Sequence, residues 1–330
     1  MNRSQTAHLE VLNYANLAAK DATELTKLLS ACQNQGFFYL DLGGSGFSHP
    51  LDIRLKALSL TREWFDRPSE EKMKFRQDSV TKGYKPLGTL SGPFKNRKDG
   101  FENIKMPRDD FVNGADFLPG TLKPETEIFR GDVEGSHAIT ITILSCLSDL
   151  LKPAVRFEDY HRENQVSQST MMYFRYAKQE PVNDGVKNNN DLDTGAGIGH
   201  NTHTDLGTLT LLYCEQWGLQ VYDQNSHTWS FVEPKPGFYV VNVGDALRFL
   251  SGNKLLSALH RVVPAAGHEG EYRYSTAYFL RPENDARFQT SENTIISALD
   301  WHDIKYHTFK ADHAEQDKST ILTGGITMRV

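Results

Sequence analysis

From residue 171 onward the chain breaks into seven short strand-like runs, Met171 to Tyr176, Leu209 to Tyr213, Leu219 to Tyr222, Trp229 to Val232, Phe238 to Val243, Leu259 to Val263 and Tyr274 to Leu280. Runs this short, rich in β-branched and aromatic residues and closely spaced, cannot make a helical bundle or a parallel βαβ sheet. They predict a β-sandwich or barrel. Turn chemistry agrees: Pro234-Lys235-Pro236-Gly237 and Ser251-Gly252-Asn253 separate runs, and Asp223-Gln224-Asn225-Ser226 suits a hairpin.

The first part reads differently. Asp21 and Glu24 form a capping-box pattern ahead of Leu25, Leu28, Leu29 and Cys32, and Gly36 ends that helix. Helical spacing returns from Leu51 to Phe65, at Pro68 to Lys72, and over Ser136 to Leu151, which Pro153 stops. A strand is predicted at Phe37 to Leu40, and a last helical stretch at Thr294 to Phe309 precedes a tail, Ile321 to Val330. The expected organisation is one integrated unit: a helix-rich region 1–165, a β core 166–285, and a helix with tail 286–330.

At 330 residues with 38% hydrophobic content and 18 Phe, the chain can bury a large core. Its net charge of -6 gives no basic footprint for a phosphate backbone, so nucleic acid is excluded as a partner and a small molecule is expected. The Gly43-Gly44-Ser45-Gly46 stretch lacks the Lys of a phosphate loop and reads as a connection, and no nucleophile-elbow sequence supports a hydrolase. Three separated cysteines argue against disulfides or thiolate metal sites. With no signal-like h-region and no bilayer-length apolar run, the expectation is a cytoplasmic protein without membrane partners, a monomer or weak homo-oligomer.

His203-Thr204-Asp205 opens a strand-like stretch, where residues i and i+2 share a face, so an imidazole and a carboxylate can meet one metal ion. With 12 His in the chain, one His-x-Asp is expected about once by chance and means little alone. His260, on a later apolar strand, completes two His and one carboxylate, a set that leaves coordination positions open and suits non-haem iron(II). Thirteen residues on, Arg273-Tyr274-Ser275 repeats the i, i+2 pattern. A guanidinium and a hydroxyl so placed can grip a carboxylate, and an Arg leading into a buried strand face needs an anion.

Those residues sit in a longer text, Gly199-His-Asn-Thr-His-Thr-Asp-Leu-Gly-Thr-Leu-Thr-Leu-Leu212, then Val241-Asn-Val-Gly-Asp245, His260-Arg-Val-Val-Pro264 and Arg273-Tyr-Ser275. This text resembles the iron(II)/2-oxoglutarate oxygenases of the isopenicillin N synthase-like superfamily, particularly fungal members of secondary metabolism. Gly36-Phe-Phe-Tyr39, Trp64-Phe65, Glu70-Glu-Lys72 and Gly83-Tyr84 extend the resemblance over most of the chain. It implies a double-stranded β-helix, or jelly roll, with flanking helices. It also implies iron(II) on His203, Asp205 and His260, 2-oxoglutarate held by Arg273 and Ser275, dioxygen as oxidant, and ascorbate as reductant in vitro. The outcome would be hydrogen abstraction from a small molecule leading to hydroxylation, desaturation or ring rearrangement.

The Tyr173-Phe174-Arg175-Tyr176 strand corresponds to one that touches co-substrate or substrate in similar enzymes. Tyr176 is expected at the co-substrate and Arg175 at the substrate or in a salt bridge, since neighbours face opposite ways. Phe101 and Asn103 are the other substrate candidates, with Tyr84, Phe94, Phe249 and Tyr278 as further lining residues. His200 is expected near the site but not on the metal, and the polar 180–199 loop at its entrance. Two rivals remain: an oxidase of the same fold in which Arg273 and Ser275 bind the substrate's own carboxylate, and a non-catalytic jelly-roll binding module with structural zinc.

Overall fold

In the computed structural model the described residues are 6–43, 49–115, 117–178, 199–268 and 270–326. The chain opens with β1 (Val11–Asn13), α1 (Tyr14–Ala18), α2 (Ala22–Asn34) and β2 (Phe37–Asp41). Then come α3 (His49–Phe65), α4 (Ser69–Met73), β3 (Gly83–Lys85), β4 (Phe101–Pro107), α5 (Arg108–Val112) and the long α6 (Thr126–Leu151). The second half carries β5 (Thr170–Tyr176), β6 (His200–His203), β7 (Leu209–Tyr213), β8 (Leu219–Asp223), β9 (Thr228–Phe231), β10 (Phe238–Val243), α7 (Asp245–Leu250), β11 (His260–Val262) and β12 (Arg273–Leu280). It ends with β13 (Arg287–Gln289), β14 (Ile295–Ser297), α8 (Ala298–Lys310) and α9 (His313–Gln316).

Eight strands form one sheet in the order β1-β2-β10-β7-β12-β5-β4-β3, and four form a second, β6-β11-β8-β9. Every pairing in these sheets is antiparallel except β1 on β2. This is the expected jelly roll. The region before residue 165 is not only helical: it supplies β1 to β4, half of the large sheet.

Both faces of the large sheet are covered, which explains why β5 is buried at all seven positions. Met171 and Tyr173 join Phe38, Leu40, Ile104, Leu211, Val241 and Tyr278 against the helices. Met172, Phe174 and Tyr176 face the other way, with Phe101, Val262 and Ala277, into the space between the sheets. That second face builds the site.

α2 starts where the sequence predicts, with the Asp21 carboxylate accepting from Glu24 N at 3.0 Å. The reciprocal half of the capping box is absent, because Glu24 Oε1 instead accepts from Asn13 N at 2.8 Å and ties the helix to β1. Gly36 takes φ +67°, the left-handed turn that admits β2. α6 begins ten residues before the predicted Ser136, its first half disguised by Gly131 and Gly135. A Cβ at those glycines would stand 3.2 Å from Ile53 and 3.6 Å from Pro50, so they let α3 lie close against α6. The last long helix starts later than the predicted Thr294: residues 295–297 are β14, and α8 follows behind a Ser297 cap. Residues 44–46 of the glycine-rich stretch, 180–198 of the polar loop and 327–330 of the tail lie outside the described residues.

Arg54 of α3 is fully buried and donates to Asp132 of α6 at 2.5 Å, while Tyr173 OH of β5 donates to the other carboxylate oxygen at 2.6 Å. The same guanidinium reaches Ser136 and Thr276, so one ion pair joins two helices to the back of the sheet. Removing one member of a buried pair leaves the other charge uncompensated. Asp132→Ala is therefore expected to lower unfolding free energy by about 3–5 kcal/mol in denaturant titration. The double variant Arg54→Met/Asp132→Leu is expected to lose less than the two single changes combined.

Candidate metal and co-substrate site

His203 ends β6 and His260 begins β11, and the two are direct partners across the small sheet, with ring centroids 4.2 Å apart. Asp205 lies two residues beyond, in the crossing to β7. Its Oδ1 stands 3.5 Å from His203 Nε2 and 3.7 Å from His260 Nε2. One ligand atom from each residue falls within 4.8 Å of the others, and all three side chains are buried.

The surroundings fix each group. His203 Nδ1 lies 2.6 Å from Asn201 O and His260 Nδ1 lies 3.2 Å from Ala258 O, so the backbone carbonyls take the Nδ1–H and leave both Nε2 lone pairs facing Asp205. Asp205 Oδ2 accepts from Thr210 Oγ1 at 2.6 Å and Asn242 Nδ2 at 2.7 Å, which turns Oδ1 toward the imidazoles. Burial disfavours the Asp205 carboxylate, but the facing His260 and His203 rings and the hydrogen bond from Asn242 outweigh it and hold its pKa well below the usual range. Burial, with His203 alongside, pushes His260 down to about 4. Two neutral imidazoles and one carboxylate converging on one point fit a divalent ion with open positions.

The turn bearing Asp205 is clamped from behind. Thr204 points the opposite way, and its hydroxyl donates to Asp245 Oδ2 at 3.0 Å and accepts from Lys305 Nζ at 2.7 Å. Asp245 pairs with Lys305 at 2.5 Å, both side chains fully buried, and also accepts from Ser257 Oγ at 2.9 Å. Asp245 N donates to Asp205 O at 2.7 Å, so the clamp acts on the ligand's own backbone. The backbones pass so close that a Cβ on Gly244 would stand 2.3 Å from Gly207 O. Glycine is required there.

The three ligand candidates share the lining of a cavity between the sheets with Arg273, Ser275 and Tyr176. Arg273 Nε donates to Trp217 O at 3.0 Å, Nη1 to Ser275 Oγ at 3.3 Å, and the guanidinium lies 4.8 Å over the Tyr176 ring. Among the described residues no carboxylate pairs with this buried arginine, as a site for an anionic ligand requires.

A wider cavity also reaches His203 and Asp205 and is lined by Phe101, Asn103, Tyr84 and Phe279 among others. His200 lies at the boundary, stacked on Phe101 at 4.8 Å and next to His203 at 4.4 Å, outside the ligand group. Of the two alternatives for Arg175 the salt bridge holds and the substrate contact does not, and three other expectations are corrected. Arg175 points to the opposite face of β5, where it pairs with Glu102 at 2.5 Å and Asp66 at 2.7 Å and covers the Phe65 ring, so it lines neither cavity. Phe94 is exposed, Phe249 packs on Phe288 and Trp301, and Tyr278 lies in the helix-facing core 3.0 Å from His137. Thr210, Asn242, Asp245 and Lys305 escaped the sequence reading as site residues, although Asn242 and Asp245 belong to the Val241-Asn-Val-Gly-Asp245 text.

Residues 169–282 match the 2OG-Fe(II) oxygenase superfamily, and residues 9–119 match the non-haem dioxygenase in morphine synthesis N-terminal region. An oxidoreductase of Penicillium aethiopicum is 40% identical, over 97% of this chain and 75% of that protein. A 2-oxoglutarate-dependent dioxygenase of Gibberella zeae is 37% identical over 99% of this chain and 95% of its own length. One from Amanita muscaria is 46% identical over 63% of this chain and 98% of its own. In three dimensions the chain superposes on a full-length Neurospora crassa protein, solved in complex with alpha-KG, at TM-score 0.69 and 20% identity, covering 90% of this chain and 95% of that one.

The chain belongs to the 2OG-Fe(II) oxygenase superfamily. It is a 2-oxoglutarate-dependent dioxygenase of the fungal small-molecule type, using iron(II), 2-oxoglutarate and dioxygen. No helix among the described residues is long and apolar enough to cross a membrane.

The supporting hydrogen bonds give the first test of the site. Asn242→Ala is expected to weaken iron(II) binding about 10- to 100-fold in anaerobic titration, with the fold retained by circular dichroism. Unchanged affinity would show that Asn242 does not orient Asp205.

Proposed function

We propose that His203, Asp205 and His260 hold iron(II) and that Arg273 and Ser275, with Tyr176 beside them, receive the distal carboxylate of 2-oxoglutarate. The observation that carries this is the buried Arg273, without an acidic partner among the described residues, lining the same cavity as His203, Asp205 and His260. Bound there, iron(II) and 2-oxoglutarate would activate dioxygen: one oxygen atom would enter succinate as 2-oxoglutarate loses carbon dioxide, and the other would supply the oxidising power that takes a hydrogen atom from the substrate.

The chain's own residues do the positioning. Thr210 and Asn242 keep Asp205 Oδ1 aimed at the metal, and the Thr204–Asp245–Lys305 clamp stops that turn from moving. Arg273 offers a fork of N–H donors and Ser275 a further hydroxyl, so a carboxylate is gripped in one orientation. Leu212, Val262 and Ala277 give the cavity apolar walls that exclude water around the bound co-substrate. The substrate, a small molecule of the secondary-metabolite kind, enters through the wider cavity past Phe101 and Asn103. Three unpaired cysteines support a reducing, cytoplasmic setting for this chemistry.

Arg273→Leu is expected to raise the 2-oxoglutarate Kd at least ~30-fold, about 2 kcal/mol, by isothermal titration of the iron-loaded protein. Arg273→Lys should not restore it, because an ammonium is a point charge without the fork. Succinate release from 2-oxoglutarate should fall in parallel. Wild-type protein that neither binds 2-oxoglutarate nor forms succinate would contradict the assignment and favour an oxidase whose substrate carboxylate occupies Arg273.

A further inference from the structure

The wider cavity is richer in cations than the chain as a whole. Over the whole chain the net charge is -6, yet cationic side chains outnumber acidic ones around this cavity. Two of the cations are neutralised in place: Lys85 pairs with Asp99, and Lys310 donates to Asp78 at 2.7 Å. Two others are not. Lys105 is 6% exposed, and its ammonium donates to Ser79 O, a neutral acceptor. Arg281 is 4% exposed, donates to Gln168 O, and leaves Nε without a partner. Among the described residues neither pairs with a carboxylate.

Asn103, 4% exposed, stands on the same cavity wall. Its Oδ1 has no hydrogen-bond partner, and Nδ2 meets only Met172 Sδ at 3.7 Å. Strand register explains the grouping. On the cavity face of the sheet, Asn103 is level with Phe174 and Ser275, and Lys105 with Met172 and Ala277, one step along; Arg281 follows β12 on the side of Phe279. Buried, unmatched cations and an orphan amide oxygen are costly to a fold unless a ligand satisfies them.

We infer that this cavity selects a small substrate bearing a carboxylate, held by Lys105 and Arg281, with a neighbouring hydroxyl or N–H that donates to Asn103 Oδ1. The inference rests on the assignment of iron and 2-oxoglutarate above and adds the substrate's chemical class. An anion there relieves a desolvation that pushes Lys105 down to about 7 and Arg281 down to about 10. Phosphate-bearing substrates are disfavoured by the small number of free donors, since three charged oxygens need more than these side chains offer. Phe101, Phe279 and Met172 supply the apolar surface over which the carbon skeleton lies toward the metal group.

The test is isothermal titration of anaerobic protein loaded with iron(II) and saturating 2-oxoglutarate. The probes are benzoate and 3-hydroxybenzoate against benzamide and 3-hydroxybenzamide. Each carboxylate is expected to bind at least ~10-fold more tightly than its amide, as a charge-assisted contact gives. Lys105→Met should remove most of that difference and Lys105→Arg retain it, while 2-oxoglutarate affinity stays within about twofold. A thermal melt of each variant separates lost binding from lost folding, and Arg281→Lys provides an independent variant. Equal binding of acid and amide, an undiminished preference in folded Lys105→Met, or carboxylate binding only when 2-oxoglutarate is absent would each overturn the inference. Failure of 2-oxoglutarate itself to bind would instead strike the preceding assignment.

Discussion

The structure turns on one carboxylate held between two imidazoles. Asp205 stands within 3.7 Å of both His203 and His260, and every part of the fold nearby serves to keep that approach possible. The small sheet contributes the two histidines as cross-strand partners. The large sheet contributes Thr210 and Asn242, which bind the carboxylate's other oxygen. A closed jelly roll is the way to bring these two sources together, because the ligand group sits where the sheets face each other.

Burial makes this arrangement demanding. A charged carboxylate in an apolar space is tolerated only when its lone pairs are used, and here two are taken by hydrogen bonds while the rest point at the metal position. The same principle separates the arginines of the strands around the site. Arg175 has Glu102 and Asp66, and is therefore finished as a structural residue. Among the described residues Arg273 and Arg281 have no such partners, and both line cavities next to the ligand group. Partnership, more than residue type, is what marks Arg175 as bracing and leaves Arg273 and Arg281 as the arginines proposed to bind.

Much of this was legible in the sequence where geometry is local. An i, i+2 pair on a strand shares a face, as Arg273 and Ser275 do on β12. His203 and Asp205 also converge, but not by strand alternation: β6 ends at His203, and Asp205 lies in the crossing to β7 instead of on the strand that the sequence predicts to open there. The seven strand-like runs of the second half match β5 and β7 to β12 within a residue or two of their ends, while the short β6, β13 and β14 were not recognised. β4 was not recognised, since its Glu102 and Lys105 look like surface charges when the partners that bury them lie elsewhere in the chain. The first half of α6 was hidden by Gly131 and Gly135, whose value lies in a contact with α3 that sequence spacing cannot display. The direction of Arg175 needed the register of β5, and the Lys305 clamp spans 60 residues to Asp245 and 101 to Thr204, beyond any local pattern.

The central claim is that one iron and one 2-oxoglutarate meet in the cavity joining Asp205 to Arg273. It is tested most directly by adding 2-oxoglutarate anaerobically to iron(II)-loaded protein and following the visible charge-transfer absorption of the chelate. The account predicts a band that saturates at one 2-oxoglutarate per chain and disappears in Asp205→Ala. A protein that binds iron but never develops the band, or develops it equally well without Asp205, would contradict it.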